Sequence, residues 1–228
     1  MSIEVEKNLK ISQDFNDILK PNNEEEVSLI VKDLYKKNLS TEIIGSNSKN
    51  FIGNKLQCAK VLDLSKLSGI VEYLPEELYI KVKACTPIVE IEEILKKSNQ
   101  QLAFEPIDFG YINSSKSNKG TAAGYLSCNF SGSRRFKSGS VRDHILGFRG
   151  VNGKGDIIKS GGTVVKNVTG YDLSKLITGS FGTLIALTEL TFKVLPMKNS
   201  SGTLIIHEDN KDEIAKLFNN LLGSSNEI

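Results

Sequence analysis

The sequence predicts an α+β fold, because amphipathic helices share the chain with short strands that pair in hairpins. Two hairpin signals support this prediction, one around Pro75-Glu76-Glu77 and one around Asn152-Gly153-Lys154-Gly155. A helical repeat of apolar side chains precedes both of them, on Val27, Ile30, Val31, Leu34 and Tyr35. The 228 residues allow one large domain or two small ones.

The first helix is expected within residues 21–38. An asparagine of the pair Asn22-Asn23 can cap it, and the three acidic residues that follow favour the positive end of the helix dipole. Asn38 is expected to end the helix. A short strand, Thr41–Ile44, then leads directly into Gly45.

Three strands and a second helix are expected next. Residues 60–64 form a predicted strand, and residues 69–74 and 78–84 form the two arms of the first hairpin. Thr86 is expected to cap the next helix, with Pro87 in its first position. The buried face of that helix is predicted on Ile88, Ile91, Ile94 and Leu95.

The following half of the chain begins with a loop-like stretch. Residues 105–140 hold few long apolar runs and much Gly, Ser, Asn and Lys, which is typical of a functional loop or of disorder. Residues 145–151 and 156–159 predict the second hairpin, whose Asn-Gly pair tolerates positive φ. Residues 172–178 suit a short helix, and residues 184–194 alternate as in a half-buried strand.

The character of the chain changes after Pro196. Residues 197–202 form a polar linker, and residues 203–207 predict one strand. One amphipathic helix follows, with apolar residues Ile214, Leu217, Phe218, Leu221 and Leu222. A strand and a helix bury little core. We therefore predict one domain over residues 1–197 and, over residues 198–228, a linker with the incomplete start of a C-terminal substrate or cap domain.

Composition argues against several function classes. The net charge is only +2, whereas nucleic-acid-binding proteins usually carry a strongly basic face. Three distant cysteines, Cys58, Cys85 and Cys128, favour neither a disulfide framework nor a zinc site, and two histidines build no metal site by themselves. The N-terminal residues lack a secretory pattern, and no apolar run approaches the roughly 18 residues of a membrane span. We therefore expect a cytoplasmic protein.

Three glycine-bearing segments are candidates for binding an anionic cofactor. The first is Gly45-Ser46-Asn47-Ser48-Lys49-Asn50, where small residues let backbone N–H groups close on an anion and Lys49 adds charge. The second, Gly120-Thr121-Ala122-Ala123-Gly124, permits a diphosphate or a flat ring to approach the start of a helix. The third is Gly179-Ser180-Phe181-Gly182-Thr183-Leu184. Their structural alternatives are, in the same order, a plain surface loop, tight helix packing, and a helix C-cap with a bulge.

Three further runs accompany these segments in a fixed order. They are Leu102-Ala103-Phe104-Glu105-Pro106, then Ser138-Gly139-Ser140-Val141-Arg142-Asp143 with Leu146-Gly147, and Val165-Lys166-Asn167-Val168-Thr169-Gly170-Tyr171-Asp172-Leu173. These three runs, together with the second and third glycine segments, resemble the PCMH-type FAD-binding domain of the vanillyl-alcohol oxidase superfamily. In detail they resemble the family of glycolate oxidase FAD-binding subunits. The resemblance covers residues 20–225, and the run that begins at Lys166 is its most specific part.

The resemblance implies two α/β subdomains that bind FAD, followed by a cap domain. It assigns the pyrophosphate to the first two glycine segments, through Gly45, Ser46, Asn47, Ser48, Lys49 and Asn50 and through Gly120, Thr121, Ala123 and Gly124. It assigns the rest of the cofactor to Pro106, Ser140 and Asp143 and, toward the adenine, to Gly179, Gly182, Thr183 and Ile185. The family usually has two or three glycines and then Thr in the first loop, where this chain has Gly45-Ser46-Asn47-Ser48. No His or Cys stands in that loop, so FAD is expected to bind non-covalently.

Three functions fit the resemblance. The first is an FAD-binding subunit of a glycolate oxidase or dehydrogenase complex, which oxidises glycolate to glyoxylate beside a second flavin subunit and an iron–sulfur subunit. The second is oxidation of another hydroxy acid or of a sugar alcohol. The third is a non-catalytic structural or electron-relay role. Partner subunits could hold the chain at the inner face of the membrane. The sequence identifies no catalytic base, because related subunits take such groups largely from the second domain or a partner.

Several other residues have two interpretations. Arg142-Asp143 is either a local ion pair or a flavin-side hydrogen bond. Arg134-Arg135 is either a solvated loop or a contact for a partner or an anionic substrate. Lys166-Asn167 either lies near the flavin or fixes the turn that follows. Cys128 is expected in buried packing, and His144 on the surface of the second hairpin.

Overall fold

The computed structural model describes residues 18–54, 56–113, 117–163, 170–200, 202–203 and 205–224. The predictions for Lys166 and Asn167 lie outside the described residues. The strands are β1 (Ile18–Leu19), β2 (Thr41–Ile44), β3 (Lys60–Asp63), β4 (Ile70–Leu74), β5 (Tyr79–Lys83), β6 (Gln100–Gln101), β7 (Ile145–Asn152), β8 (Ile157–Gly161), β9 (Ile185–Lys193) and β10 (Leu195–Pro196). The helices are α1 (Glu24–Lys36), α2 (Ile88–Lys97), α3 (Gly110–Asn113), α4 (Ala122–Cys128), α5 (Arg135–Ser138), α6 (Val141–His144), α7 (Leu173–Ile177) and α8 (Lys211–Leu222).

A small parallel sheet, with strand order β1-β3-β2, forms the N-terminal part together with α1. The Asn23 side chain accepts a hydrogen bond from the Glu26 N–H, and the Glu26 carboxylate accepts one from the Asn22 N–H. These reciprocal bonds satisfy backbone donors at the start of α1. The helix stops where Asn38 turns left-handed, with a φ of 52°, as the sequence predicts. β2 then delivers residues 45–50 to the carboxyl edge of the sheet.

A five-stranded antiparallel sheet, with order β4-β5-β9-β7-β8, forms the larger part. Both predicted hairpins are present, as β4–β5 and β7–β8. The positive φ in the second turn lies at Gly155, with 86°, and not at Gly153. The half-buried pattern predicted for β9 was wrong, because most of this central strand is buried on both faces. The residues of β9 alternate in polarity along the sequence, but other elements pack on both faces of the sheet and bury both sets of side chains.

Two hydrophobic clusters hold the sheets together. The larger one packs α2 and α4 against one face of the five-stranded sheet, through residues that include Ile88, Leu126 and Leu190. The smaller one joins Val27 of α1 to Ala186 of β9 and also contains β3 and β7 residues. The N-terminal sheet therefore packs on the opposite side of the larger sheet, and the chain has the α+β architecture of two subdomains that the sequence predicts.

Two side-chain predictions were wrong because they ignored distant partners. Thr86 does not cap α2; its buried hydroxyl instead accepts a hydrogen bond from the Gly69 N–H at 3.0 Å. His144 is fully buried rather than on a hairpin surface. Its Nε2 lies 2.8 Å from the Ser138 carbonyl oxygen, and its ring packs edge-on against Phe104. Because a carbonyl only accepts, Nε2 carries the proton.

Contacts divide the chain into two compact units, Met1–Met197 and Lys198–Ile228. The second unit contains α8, whose side chains Phe218 and Leu222 are exposed. The described residues of 203–207 form no strand, so that prediction was wrong. The functional boundary between two domains stays a prediction. None of the helices in the described ranges is both long and apolar enough to cross a membrane.

Candidate functional site

The first glycine segment, residues 45–50, folds back from β2 toward the start of α4. A Cβ atom on Gly45 would lie 3.1 Å from Cys85 Sγ and 3.3 Å from Thr121 Oγ1, so the backbone passes close to both. Asn47 is left-handed, with a φ of 51°. The N–H groups of residues 46–48 find no acceptor within the described part of the chain. N–H groups that have no internal acceptor in such a turn are suited to an anion.

Gly120 of the second segment packs directly on the first. It has a φ of 81°, and a Cβ atom there would lie 2.5 Å from Ser48 Oγ and 2.7 Å from Lys49 Nζ. Side chains rarely adopt this backbone conformation, and the Ser48 contact is shorter than real Cβ atoms tolerate. The structure therefore brings the first two predicted segments together, at a point where glycine is required.

The second segment is anchored to the end of β5. The Ala122 N–H donates to the Thr86 carbonyl at 3.0 Å, and the Ala123 N–H donates to the Ala84 carbonyl at 2.8 Å. These bonds fix the position of the segment, but they also occupy two of its backbone donors. An anion between the two segments would therefore take its main-chain hydrogen bonds mostly from the first.

Thr121 begins α4 by accepting a hydrogen bond from the Gly124 N–H at 3.3 Å. A Cβ atom on Gly124 would lie 3.3 Å from Thr121 Oγ1 and 3.5 Å from Lys49 Nζ, which is close to ordinary contact. Gly124 therefore faces the same space as Lys49, although the space there is less tight than at Gly120. The tight-packing interpretation of this segment is confirmed by these contacts, and its role in binding an anion stays a prediction.

Lys49 places an ammonium group between the two segments. Its Nζ lies 3.3 Å from Ser48 Oγ, 4.4 Å from the centre of the Tyr125 ring and 5.7 Å from that of Phe109. Burial lowers the pKa of Lys49. In the described ranges no carboxylate lies within ion-pair distance of this nitrogen. Among the described residues, the Ser48 hydroxyl and two aromatic rings are the polar and aromatic contacts of this nitrogen.

The third segment closes on the C-terminal end of α4. The Gly179 N–H donates to the Leu126 carbonyl at 3.0 Å, and the Phe181 N–H donates to the Ser127 carbonyl at 2.8 Å. Gly179 and Gly182 have φ values of 80° and 75°, so both are left-handed. The first two segments meet at one end of α4 and the third lies at the other. This seven-residue helix is the element that all three share.

A cavity of about 380 Å³ borders the third segment. Gly182, Thr183 and Ile185 line it, together with Tyr35 of α1 and Asn152 of β7. Its volume lies at the lower end of the range of about 300–1,000 Å³ that is usual for ligand pockets. Residues of the first two segments do not line this cavity as far as the structure describes them. The cavity is thus a space next to the third segment and separate from the space around Lys49.

Ser140 and Asp143 form a closed turn. The Asp143 carboxylate accepts hydrogen bonds from the Ser140 N–H at 2.8 Å and from the Ser140 hydroxyl at 2.9 Å. These two bonds hold the pKa of Asp143 below its usual value, and the bond from the Ser140 backbone contributes most to this shift. The Arg142 N–H donates to Asn129 Oδ1 at 3.3 Å, which ties the turn to the residue after α4. The cofactor role of Ser140 and Asp143 stays a prediction.

Pro106 is half-buried beside α4 but outside the hydrogen bonds of the glycine segments. Its neighbours are fixed instead. Glu105 has a φ of 55° and accepts a hydrogen bond from the Arg134 N–H, and Ile107 accepts one from the Tyr125 hydroxyl. A cofactor contact of Pro106 stays a prediction.

Sequence reasoning missed the aromatic surroundings of Lys49. Tyr125 directly follows Gly124, and its place on α4 was the one available signal. Phe109 gave none, since it comes from a separate loop directly before α3. Cys128 also lies near Lys49; burial raises the pKa of its thiol, and the lysine charge opposes that shift. No cluster of three metal-ligating side chains occurs in the residues described.

The fold defines a class of α+β proteins that are built from two α/β subdomains. The solved structure of alkyldihydroxyacetonephosphate synthase has this fold, with a TM-score of 0.65 and 23% identity over 80% of this chain and 32% of the synthase chain. A family model described as an FAD binding domain matches residues 17–161, more than half of the chain. The chain belongs to this family of FAD binding domains.

Several characterised relatives are similar in sequence. Glycolate oxidase subunit GlcE of Escherichia coli (strain K12) is 44% identical over 162 residues, which are 71% of this chain and 44% of that subunit. Glycolate oxidase subunit GlcD of Bacillus subtilis (strain 168) is 36% identical over 46% of this chain and 22% of its own. D-lactate dehydrogenase of Anaerostipes hadrus is 32% identical over 67% of this chain and 30% of its own. The matched region spans less than half the length of each relative.

FAD, the cofactor of the family, fits the residues between the first two segments. A diphosphate needs close backbone approach and compensation of its negative charge. Gly120 supplies the first, because a Cβ atom there would occupy the space beside Ser48. Lys49 supplies the second, because its ammonium has no carboxylate partner among the described residues. The site therefore matches the anionic part of the cofactor.

Proposed function

We propose that this chain is the FAD-binding part of a glycolate oxidase complex that oxidises glycolate to glyoxylate. The observation that carries this proposal is the 44% identity to glycolate oxidase subunit GlcE over 162 residues. When bound, FAD accepts the two electrons that leave the hydroxyl-bearing carbon of the substrate. The chain's own residues bind and orient the cofactor.

The binding proposal follows the geometry of the loops. Residues 45–50 and 120–124 would enclose the pyrophosphate, with N–H groups from the first loop and charge from Lys49. The third segment and the cavity beside Thr183 would take the adenine side, and the turn of Ser140 and Asp143 would lie along the remainder. The contact of the third segment with α4 supports this order, because α4 runs from one loop to the other.

FAD would be held non-covalently. The two thiols near the loops are poor nucleophiles because both are kept protonated. Burial raises the pKa of Cys85 to about 12, and burial also raises that of Cys128. A thiol attacks only as the thiolate. Neither side chain therefore favours a covalent bond to the flavin.

Proton transfer would use a group from outside these loops. The Asp143 carboxylate is bonded twice to Ser140, and the buried His144 ring is bonded to a backbone carbonyl. Lys49 is suited to binding an anion. We propose that the base that takes the hydroxyl proton comes from a cap domain beyond residue 197 or from a partner subunit. A second flavin subunit and an iron–sulfur subunit are the proposed partners, and they could hold the chain at the inner face of the membrane.

Two alternatives remain in competition with this function. The similarity to a D-lactate dehydrogenase favours oxidation of another 2-hydroxy acid by the same fold. A structural or electron-relay role would retain FAD without oxidising any substrate. Both alternatives use the same cofactor site, and they differ only in what reduces the bound FAD.

The test is anaerobic reduction of the flavin in the protein assembled with its partner subunits. Absorbance in the flavin band first measures FAD content. Glycolate, D-lactate and a sugar alcohol are then added separately. Bleaching that is fastest with glycolate supports the proposal. Faster bleaching with another substrate contradicts the assigned substrate. Bound FAD that no substrate reduces favours the relay role, and protein that binds no FAD contradicts the cofactor assignment.

A further inference from the structure

One stretch of the chain, around α4 and α5, carries an excess of positive charge. Residues 109–142 contain six Lys or Arg residues and no Asp or Glu. Because the whole chain has a net charge of +2, the other residues together carry −4. The positive charge is therefore concentrated in one part of the chain, where it attracts negatively charged groups of another molecule.

Residues 133–137 form the exposed part of this stretch, at the turn that enters α5. All five are exposed, and Phe136 is 92% exposed. Arg135 and Lys137 flank the ring, and neither side chain makes a hydrogen bond or ion pair in the part of the chain that the structure describes. A single exposed apolar side chain is ordinary. This ring is distinguished by the charges beside it and by the rigidity of its turn.

The turn is fixed on both sides. Before it, the Gly132 N–H donates to the Phe104 carbonyl at 3.0 Å. After it, the Ser138 N–H donates to the Arg134 carbonyl at 2.8 Å, and the Ser138 carbonyl is bonded to the buried ring of His144. The exposed aromatic ring is thus presented on a fixed turn, so little backbone freedom would be lost when a partner binds.

One carboxylate, that of Glu105, lies at the base of the turn. It accepts a hydrogen bond from the Arg134 N–H at 3.0 Å, while the Arg134 guanidinium donates to the Gln101 side chain at 3.3 Å. Three cationic side chains, those of Arg134, Arg135 and Lys137, therefore surround the ring against one carboxylate below it. The surface of the turn has a net positive charge.

A protein surface that bears carboxylates fits this turn better than an anionic bilayer does. Segments that bind anionic lipids usually contain about 4–8 clustered Lys or Arg residues, and this turn has fewer. Two of its cations are arginines, whose planar guanidinium can bond a carboxylate through two N–H groups. Aromatic and arginine side chains are also enriched at the centres of protein interfaces.

We propose that residues 133–137 are a docking surface for an acidic protein partner. Phe136 enters an apolar pocket of the partner, and Arg134, Arg135 and Lys137 bond to carboxylates around that pocket. This inference rests on the complex of the proposed function, and it assigns the surface to contact with one of the two partner subunits.

The experiment measures how each purified partner subunit binds to the immobilised chain at low and at high NaCl concentration. Wild type is compared with Phe136→Ala and Arg135→Glu. The matched controls are Leu29→Ala and Lys154→Glu, because Leu29 is 67% exposed on α1 and Lys154 is exposed in the turn between β7 and β8. Absorbance measures the FAD content of each variant, and circular dichroism checks its fold.

Phe136→Ala is expected to weaken binding about tenfold or more, mainly through faster dissociation, because a few buried aromatic anchors dominate the affinity of an interface. Arg135→Glu is expected to weaken binding about tenfold or more, mainly through slower association and with a smaller dependence on salt, because charges around an interface steer the encounter. Both variants should keep the fold and the FAD content of wild type, and both controls should bind as wild type does.

The docking surface would be overturned if wild type bound neither partner subunit, or if Phe136→Ala and Arg135→Glu bound as tightly as wild type. Wild-type binding to vesicles of phosphatidylcholine and phosphatidylserine that Phe136→Ala abolishes would assign the turn to a lipid surface instead. The proposed FAD site would stand in each case, since FAD content is measured separately. A complex that assembles through Phe136 but whose flavin glycolate does not reduce would contradict the proposed function and leave the docking surface intact.

Discussion

The carboxylate of Glu24 at the start of α1 bonds to the guanidinium of Arg149 in β7. This ion pair links the N-terminal subdomain to the five-stranded sheet. Glu24 Oε2 accepts hydrogen bonds from Arg149 Nη2 and, at 3.2 Å, from Arg149 Nε. The Thr188 hydroxyl of β9 donates to the other carboxylate oxygen. The Glu24 side chain is only 11% exposed. This ion pair spans the boundary that the smaller hydrophobic cluster also fills.

Glu24→Gln is expected to lower the free energy of unfolding by about 2 kcal/mol, because hydrogen bonds to charged groups contribute about 1.5–3 kcal/mol each. Urea denaturation followed by circular dichroism measures the change. Glu25→Gln is the control, since Glu25 is exposed in the same turn and its substitution should cost less than about 0.5 kcal/mol. Equal costs for the two substitutions would show that the ion pair does not join the subdomains.

Denaturation of the chain is expected to release FAD in unmodified form, because FAD is expected to bind non-covalently. The buried thiols Cys85 and Cys128 are held protonated, so neither favours a covalent bond to the flavin. Acid precipitation of the holoprotein should give a yellow supernatant and a colourless pellet. Flavin that stays with the pellet would mean that it is attached covalently at a residue outside the first loop.

His144 is expected to make the fold less stable in weak acid. Burial lowers the pKa of His144 from its usual value of 6.5. The unfolded chain therefore binds more protons than the folded one below about pH 6.5, and stability is lost as the pH falls from there toward the lowered pKa. His144→Gln removes the titration and keeps an N–H that can donate to Ser138.

The pH effect is measured by urea denaturation at about pH 7.5, 6.5 and 5.5, which brackets the usual histidine pKa. The carboxylates whose pKa is lowered, such as Asp143, titrate below this window. Wild type should lose stability between the two lower pH values, and His144→Gln should lose less. Parallel curves for the two proteins would contradict a role for His144.

The elements that the sequence predicts correctly are those set by local chemistry. α1 follows from its caps and its apolar repeat, and the two hairpins follow from turn residues between strand-forming runs. The order of the three glycine segments also carries information, because the structure brings the first two together and fixes the third to the far end of the same helix.

The features that the sequence does not reveal depend on contacts between distant residues. His144 looks like a surface residue beside a hairpin, yet Phe104 and the Ser138 carbonyl enclose it. β9 alternates like a half-exposed strand, yet it is covered on both faces. The charge of Lys49 is evident in the sequence, but its aromatic surroundings are not, since Phe109 lies in the loop before α3 and Tyr125 lies in α4.

If the predicted domain boundary near residues 197–202 is correct, a protease cuts there first. The described residues of this linker are exposed, and loops of that kind are preferred cleavage sites. Limited trypsin digestion should therefore cut at Lys198. The exposed turn between β7 and β8 is an internal control, because Asn152 Oδ1 accepts hydrogen bonds from the N–H groups of Lys154 and Asp156 and holds it closed. If residues 203–225 were as resistant to trypsin as the core, the predicted boundary would be wrong.

Gly124→Asp is expected to abolish retention of FAD while the chain stays folded. A Cβ atom at this position would lie 3.5 Å from Lys49 Nζ, so the new carboxylate would pair with the ammonium. It would also add negative charge at short range from the proposed pyrophosphate. The nearest neighbouring atom, Thr121 Oγ1, would be 3.3 Å away, so only a small local shift is needed. Absorbance in the flavin band measures occupancy, and circular dichroism checks the fold.

The matched control for that substitution is a glycine in a turn away from the site. Gly153 has no positive φ, and a Cβ there would contact nothing within 4 Å, so Gly153→Ala should change stability by less than about 0.5 kcal/mol. Gly155 has the strained φ of 86°, and a Cβ would lie 2.9 Å from the Ser28 carbonyl oxygen, so Gly155→Ala should cost more than about 1 kcal/mol. FAD content per folded chain should be unchanged in both. Full FAD in Gly124→Asp, or loss of FAD from folded Gly153→Ala, would place the cofactor elsewhere.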